Sequence, residues 1–386
     1  MTAIDETLRD AVTAGEIPGI VAAATTASGT IHAFAAGNRA VPDGAPMGMD
    51  TVFRIASMTK AITATAAMQM VEQGKLALDA PAGETLPELA APQVLEGFDA
   101  AGEPRLRPAR TPITLRRLLT HTAGFGYDTW NADLNTYARV REVPAARTGR
   151  LAALGMPLSS DPGTEWQYGI NIDWAGRMVE QASGLDLEAY FQRHIFGPLG
   201  MVDSGFVIRP DMAARLASVH ARKDGGLVPL QTPLNPPREF YPGGGGLAST
   251  PHDYLRFLRM MLNGGTLDGA RVLAPETVAV MGQNHMGALN VQVMRSVIPA
   301  MSNDFEAFPG MEKKWGLSFL INTRDVPGGR AAGSLAWAGI NNTYFWIDPT
   351  SGIAGLLMTQ VLPFGDTAVL RLLGAFEQAI YRAHRR

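Results

Sequence analysis

The chain has 386 residues, a formal charge of −3, 46% hydrophobic and 18% charged residues. That composition belongs to a globular protein with a large core and excludes a disordered chain. The near-neutral charge gives no electrostatic reason to expect nucleic acid or an anionic membrane as a partner, and the absence of cysteine removes disulfides, thiolate metal sites and cysteine nucleophiles together.

The first residues, "MTAIDETLRDAVTAGEIPG", place Ile4, Leu8 and Val12 on one helical face. They have neither the basic start nor the apolar run of a secretory signal. No apolar run approaches the roughly 18–20 residues of a membrane span, so a cytoplasmic protein without a span is expected. The next stretch, "GIVAAATTASGTIHAFAAGNRA", predicts two strands joined at the Ala-Ser-Gly turn near Ser28. From Ser57 to Lys75 apolar residues recur at helical spacing, ending near Gly74. Residues 80–112, rich in Pro, Gly and Glu, read as a boundary or long connection. Helical patterns fill the middle, in "ITLRRLLTHT", "IDWAGRMVEQASG", "DLEAYFQRHIFGPLG" and "TPHDYLRFLRMMLNGG". From about 315 to 361 the chain alternates like strands, and "TAVLRLLGAFEQAIYRAHRR" closes it as a helix with bases in its last turn. This order predicts an α/β (α+β) fold. Residues 1–80 and about 225–386 would form a split α/β domain and about 81–224 a mainly helical one, with the active site at their interface.

Three stretches could carry chemistry. In "RIASMTK" Ser57 precedes Lys60 by three residues, and only five lysines occur in the chain. At a helix start these two share a face, amid free N–H groups and the positive end of the dipole. A desolvated lysine there can act as base, although the spacing alone also fits a solvated charge. Tyr168, in "PGTEWQYGINIDW", could shuttle protons near a lysine if its phenolate is stabilised; by itself it reads as a packed aromatic. In "SLAWAGINNTYFWIDPTSG" a glycine-containing turn could bring a backbone N–H to an oxyanion. His121 reads as a structural residue at a helix end. The glycines 243–246 lack phosphate-loop spacing and read as a conformationally special loop. Neither a G-x-S-x-G elbow nor an H-E-x-x-H zinc pattern is present.

Six stretches in order, "FRIASMTKAITA", "TLRRLLTHTAGF", "PGTEWQYG", "GLDLEAYFQRHIFGPLGM", "YPGGGGLASTPHDYLRFLRMMLNGG" and "WAGINNTYFWIDPTSGIAGLLM", resemble the serine β-lactamase and penicillin-binding-protein superfamily. Within it they are most similar to class C β-lactamases and family VIII carboxylesterases. The resemblance implies an antiparallel sheet flanked by N- and C-terminal helices, with a helical insertion. It implies Ser57 as nucleophile, Lys60 as its base partner and Tyr168 as second proton shuttle. Trp337-Ala338-Gly339 would stand in place of the K-T-G motif, with the backbone N–H groups of Ser57 and Ile340 as oxyanion hole.

Two departures bear on substrate. Ile170 occupies the asparagine position of the Y-x-N motif, with Asn171 one residue late, and Trp337 replaces the K-T-G lysine. Each lost polar anchor is worth roughly 1–3 kcal/mol to an anionic lactam. A carboxylesterase of short or apolar esters is therefore expected, needing no metal or organic cofactor. Phe125, Tyr127, Trp130, Trp337 and Gly339 would line the substrate site. The alternatives are a β-lactamase or DD-peptidase, an acyltransferase on the same scaffold, and a non-catalytic binding relative. The expected partner is a small-molecule ester; the sequence leaves the oligomeric state open.

Overall fold

The sheet begins where the sequence puts its first hairpin. Strands β1 (Gly19–Thr26) and β2 (Thr30–Gly37) pair antiparallel across the Ala-Ser-Gly turn. The other strands come late in the chain: β3 (Lys313–Trp315), β4 (Leu320–Asn322), β5 (Leu335–Gly339), β6 (Thr343–Asp348) and β7 (Ile353–Met358). Their spatial order is β3-β4-β5-β6-β7-β1-β2, antiparallel throughout. β7 pairs with β1, Met358 opposite Val21 and Ile353 opposite Thr26, so early and late segments close one sheet. The structure, a computed structural model, describes residues 2–384.

Five longer helices frame this sheet: α1 (Ala3–Thr13), α2 (Thr59–Glu72), α3 (Asn171–Ser183), α4 (Pro251–Leu262) and α5 (Thr367–His384). Along β6, Phe345 packs on Tyr254 of α4 while its neighbour Trp346 packs on Phe376 of α5. Because successive side chains of a strand point to opposite faces, the sheet is covered on both. This corrects the alternating pattern expected over 315–361: every residue of β5, β6 and β7 is buried. Helix α2 is likewise buried on all sides from Thr59 to Met70, the condition under which a lysine at its start is cut off from water.

Residues 81–224 add no strand to the seven-stranded sheet. The expected connection at 80–112 carries structure of its own: two single turns (Ala82–Glu84, Pro87–Leu89) and a hairpin of Gln93–Phe98 with Pro104–Pro108. Its Gly and Pro residues punctuate turns rather than a linker, and Leu95 N–H ties the hairpin to the Leu158 carbonyl at 2.8 Å. Among the described residues no helix is long and apolar enough to cross a membrane.

One close cross-strand packing contact gives a direct test of the sheet. Gly355 lies opposite Trp346, and a Cβ there would sit 2.3 Å from the indole ring. Gly355→Ala should therefore cost about 1–3 kcal/mol of stability by overpacking, read as a lower urea midpoint with an unchanged far-UV circular dichroism spectrum.

Candidate active site

Ser57 lies in a single 3-10 turn, Ala56–Met58, that runs into α2. Ala56 before it has φ +45°, a left-handed conformation that costs a residue with a Cβ on the order of 1 kcal/mol. The β5–β6 turn, the start of β6 and Gln360 just after β7 brace it. Asn341 Nδ2 and Gln360 Nε2 donate to the Arg54 carbonyl at 3.2 and 3.1 Å, and Thr343 Oγ1 donates to the Ile55 carbonyl at 3.3 Å. Gly339 permits this approach, since a Cβ there would lie 2.4 Å from the Ile55 oxygen. Ser57 and Ile340 thereby come to line the same cavity.

Lys60 is completely buried. Its Nζ donates to Ser57 Oγ at 3.1 Å, Tyr127 Oη at 3.1 Å and the Gly244 carbonyl at 2.5 Å, which accounts for all three protons of an ammonium. The Tyr168 and Tyr127 rings lie 4.8 and 5.2 Å from it. Burial pushes its pKa down to about 7, and the Asp173 carboxylate opposes the fall. The glycine loop 243–246 acts here as a lid on α2. Thr63 Oγ1 donates to the Gly243 carbonyl at 2.7 Å, and Leu247 N–H donates to Thr59 Oγ1 at 3.2 Å. Asp173, in the first turn of α3, accepts the Gly244 N–H through Oδ1 at 3.0 Å.

Tyr168 Oη accepts the indole N–H of Trp337 at 2.9 Å. Burial holds its phenol well above the ordinary value, with hydrogen bonds to Ser57 and Trp337 acting the other way. It is therefore a neutral phenol near pH 7. Trp337 is wedged between Tyr168 and Trp315, with ring centres 4.9 and 4.6 Å away. His121 packs its ring 4.7 Å from Tyr168; burial, with Lys60 adding to it, keeps it neutral. Asn171 turns away from Lys60, its amide donating to the Phe125 carbonyl at 2.8 Å and lying 2.9 Å from His121 Nδ1. Tyr127 is the residue that reaches Lys60 instead.

The cavity over Ser57 encloses about 120 Å³, with Tyr127, Trp130, Asp173, Gly244, Met301 and Ile340 in its wall. Trp130 is fixed by its indole N–H to Ser302 Oγ at 3.0 Å. Three residues expected to face substrate do not line it. Phe125 is buried and stacks on Trp174, 6.0 Å between ring centres; Trp337 reaches the site through Tyr168; and Gly339 is spent on the contact with Ile55. Sequence reasoning missed Asp173 and the Gly244 carbonyl. An acid in a first helical turn reads as a partner of the dipole, and a glycine's carbonyl leaves no side-chain signal. Among the described residues no group of three or more His, Asp and Glu side chains could hold a metal ion.

The model of the Beta-lactamase family matches residues 4–379. The chain belongs to that family. It is similar to the monacolin J acid methylbutanoyltransferase of Aspergillus terreus, 36% identical over 98% of this chain and 95% of the relative. The lovastatin esterase of Penicillium rubens is 34% identical, over 99% of this chain and 98% of that one. A solved structure of simvastatin synthase from Aspergillus terreus superposes with a TM-score of 0.87 at 36% identity, covering 99% of this chain and 98% of that one. As a member of the Beta-lactamase family the protein is an enzyme of serine-hydrolase type.

The depressed Lys60 pKa carries a stability signature for this Beta-lactamase family member. Unfolded, Lys60 titrates near 10.5; folded, near 7. Between those values the unfolded chain binds more protons, so stability must rise with pH, and is lost again as pH falls towards 7. The full span corresponds to roughly 4–5 kcal/mol. Urea unfolding from pH 6.5 to 10 should show this rise in the wild type and its absence in Lys60→Met.

Proposed function

We propose that this protein is a serine acyltransferase. Ser57 takes an acyl group from an ester and passes it to the hydroxyl of a small-molecule acceptor, with hydrolysis as the competing outcome. The observation that carries this reading is the near full-length similarity to a methylbutanoyltransferase, 36% identical over 98% of the chain. The cavity supports it: about 120 Å³, with Tyr127, Trp130, Met301 and Ile340 beside the charged Asp128, Arg147 and Asp173, suits a short acyl group. This reading displaces the expected plain carboxylesterase, which stays as the second reading on the strength of the 34% identical lovastatin esterase.

In the proposed reaction neutral Lys60 takes the Ser57 hydroxyl proton as Oγ attacks the ester carbonyl. The tetrahedral oxyanion is held by the backbone N–H groups of Ser57 and Ile340. Tyr168 relays a proton to the departing alkoxide and is reprotonated from Lys60, leaving acyl-Ser57 and a neutral amine. The acceptor hydroxyl then gives its proton to Lys60 while its oxygen attacks the acyl carbon. Return of that proton to Ser57 Oγ closes the cycle. Trp337, donating to Tyr168 Oη at 2.9 Å, steadies the relay. A lactam reading is disfavoured because Trp337 and Ile170 stand where the family's lysine and asparagine would, and the Asn171 amide is committed elsewhere.

Two outcomes are expected from p-nitrophenyl butyrate. Ser57→Ala should lose p-nitrophenol release by at least about a thousandfold while keeping the wild-type melting curve; retained turnover would sink the assignment. Adding a primary alcohol should divert butyryl groups from butyrate into the alcohol's ester. Butyrate as the sole product at every acceptor concentration would return the carboxylesterase reading. Nitrocefin should be turned over far more slowly than the ester.

A further inference from the structure

Lys60 and Asp173 hold the backbone of one residue, Gly244, through the two peptide groups that flank its Cα. The Gly244 carbonyl accepts from Lys60 Nζ at 2.5 Å, and the Gly244 N–H donates to Asp173 Oδ1 at 3.0 Å. Both side chains are almost wholly sealed from solvent, Asp173 at 1% exposure. The fit around Gly244 is close: a Cβ there would lie 2.5 Å from Asp173 Oδ2 and 3.0 Å from Tyr127 Oη. Asp173 Oδ2 itself is buried without a hydrogen-bond partner; burial raises the pKa of this carboxyl above its ordinary value, and Lys60 with the Gly244 N–H opposes that rise.

We propose that Asp173 is a positioning residue for the reaction, which acts through the Gly244 peptide and its own charge to hold Lys60 against Ser57 as a base strong enough to take the serine proton. The inference rests on Lys60 serving as the base in the function proposed above. The groups facing Lys60 are Ser57 at the start of its own helix, Tyr127, Tyr168, Asp173 on α3 and the Gly244 carbonyl, with neutral His121 behind Tyr168. Of these Asp173 supplies the charge opposing burial. Burial alone would leave an amine that is free at neutral pH but too weakly basic to remove a hydroxyl proton well. Base catalysis works best when the base's proton affinity lies near the working pH, and the Asp173 carboxylate moves Lys60 towards it. Gly244 links the two effects, because the residue whose N–H fixes the Asp173 carboxylate is the residue whose carbonyl fixes Lys60.

The test is the rate of Ser57 modification by a fluorophosphonate between pH 5 and 10, in wild type, Ser57→Ala, Asp173→Asn and Gly244→Ala. The wild-type rate should rise with pH through a midpoint near 7 and level off. Asp173→Asn keeps an oxygen for the Gly244 N–H and loses the charge. Its midpoint should move to lower pH, by about one unit or tenfold in proton affinity, and its plateau should fall several-fold. A residue that only supported the fold would lower the plateau and leave the midpoint in place, and that result would overturn the proposal. Gly244→Ala keeps both charges but forces the carboxylate off the peptide, so it should shift the midpoint in the same direction; it decides the matter if Asp173→Asn does not fold. Labelling lost in Ser57→Ala, with unmoved midpoints in the other two variants, would remove the role of Asp173 and leave the proposed function standing. Labelling that persists in Ser57→Ala, or a pH-independent wild-type rate, would overturn both.

Discussion

An amine with no route to water organises this molecule. Lys60 sits in a helix buried on every side, so each of its protons must find a protein acceptor. Those acceptors come from three separate parts of the chain: the serine one turn earlier, the loop bearing Tyr127, and the glycine run at 243–246. Sealing the amine lowers its affinity for a proton, and that lowered affinity suits the role of base proposed for it. Burial thus costs stability and supplies reactivity in one step, a trade characteristic of catalytic sites.

The strained turn at Ala56 belongs to the same arrangement. Its left-handed φ of +45° persists because the β5–β6 turn clamps the Arg54 and Ile55 carbonyls, and because Gly339 lets the two backbones touch. The proposed nucleophile and oxyanion donors are therefore parts of one junction between sheet and helix, rather than groups carried on separate loops. The aromatic cluster of Tyr168, Trp337, Trp315 and His121 fills the space behind the junction, and the Trp337 indole donates to Tyr168.

Much of this was legible in the residues. Hairpin, helices and late strands read correctly because apolar periodicity and turn residues report local geometry directly. The polarity of the strands did not, since a sheet covered on both faces leaves no polar side for a period of two to display. At the site the sequence named Ser57, Lys60 and Tyr168, whose spacing and order carry a pattern. It placed Phe125 on the substrate side, where the structure stacks it on Trp174, because aromatic character does not tell which side of a wall a ring occupies. It passed over Asp173 and Gly244, whose part depends on a backbone carbonyl and on a contact between residues 71 positions apart.

The closure of the sheet by β7 on β1 has a bearing on how the enzyme comes into being. Ser57 and Lys60 leave the ribosome early, while Ile340 and the strands that brace Ala56 emerge near the end of synthesis. A partly made chain therefore holds its serine in an unbraced turn, away from its oxyanion donors and with its lysine still solvated and protonated. The proposed site is complete only once long-range strand pairing is complete, a slow and late event for so non-local a topology. The order of synthesis thus leaves the proposed site unassembled until the last strands of the sheet have been made.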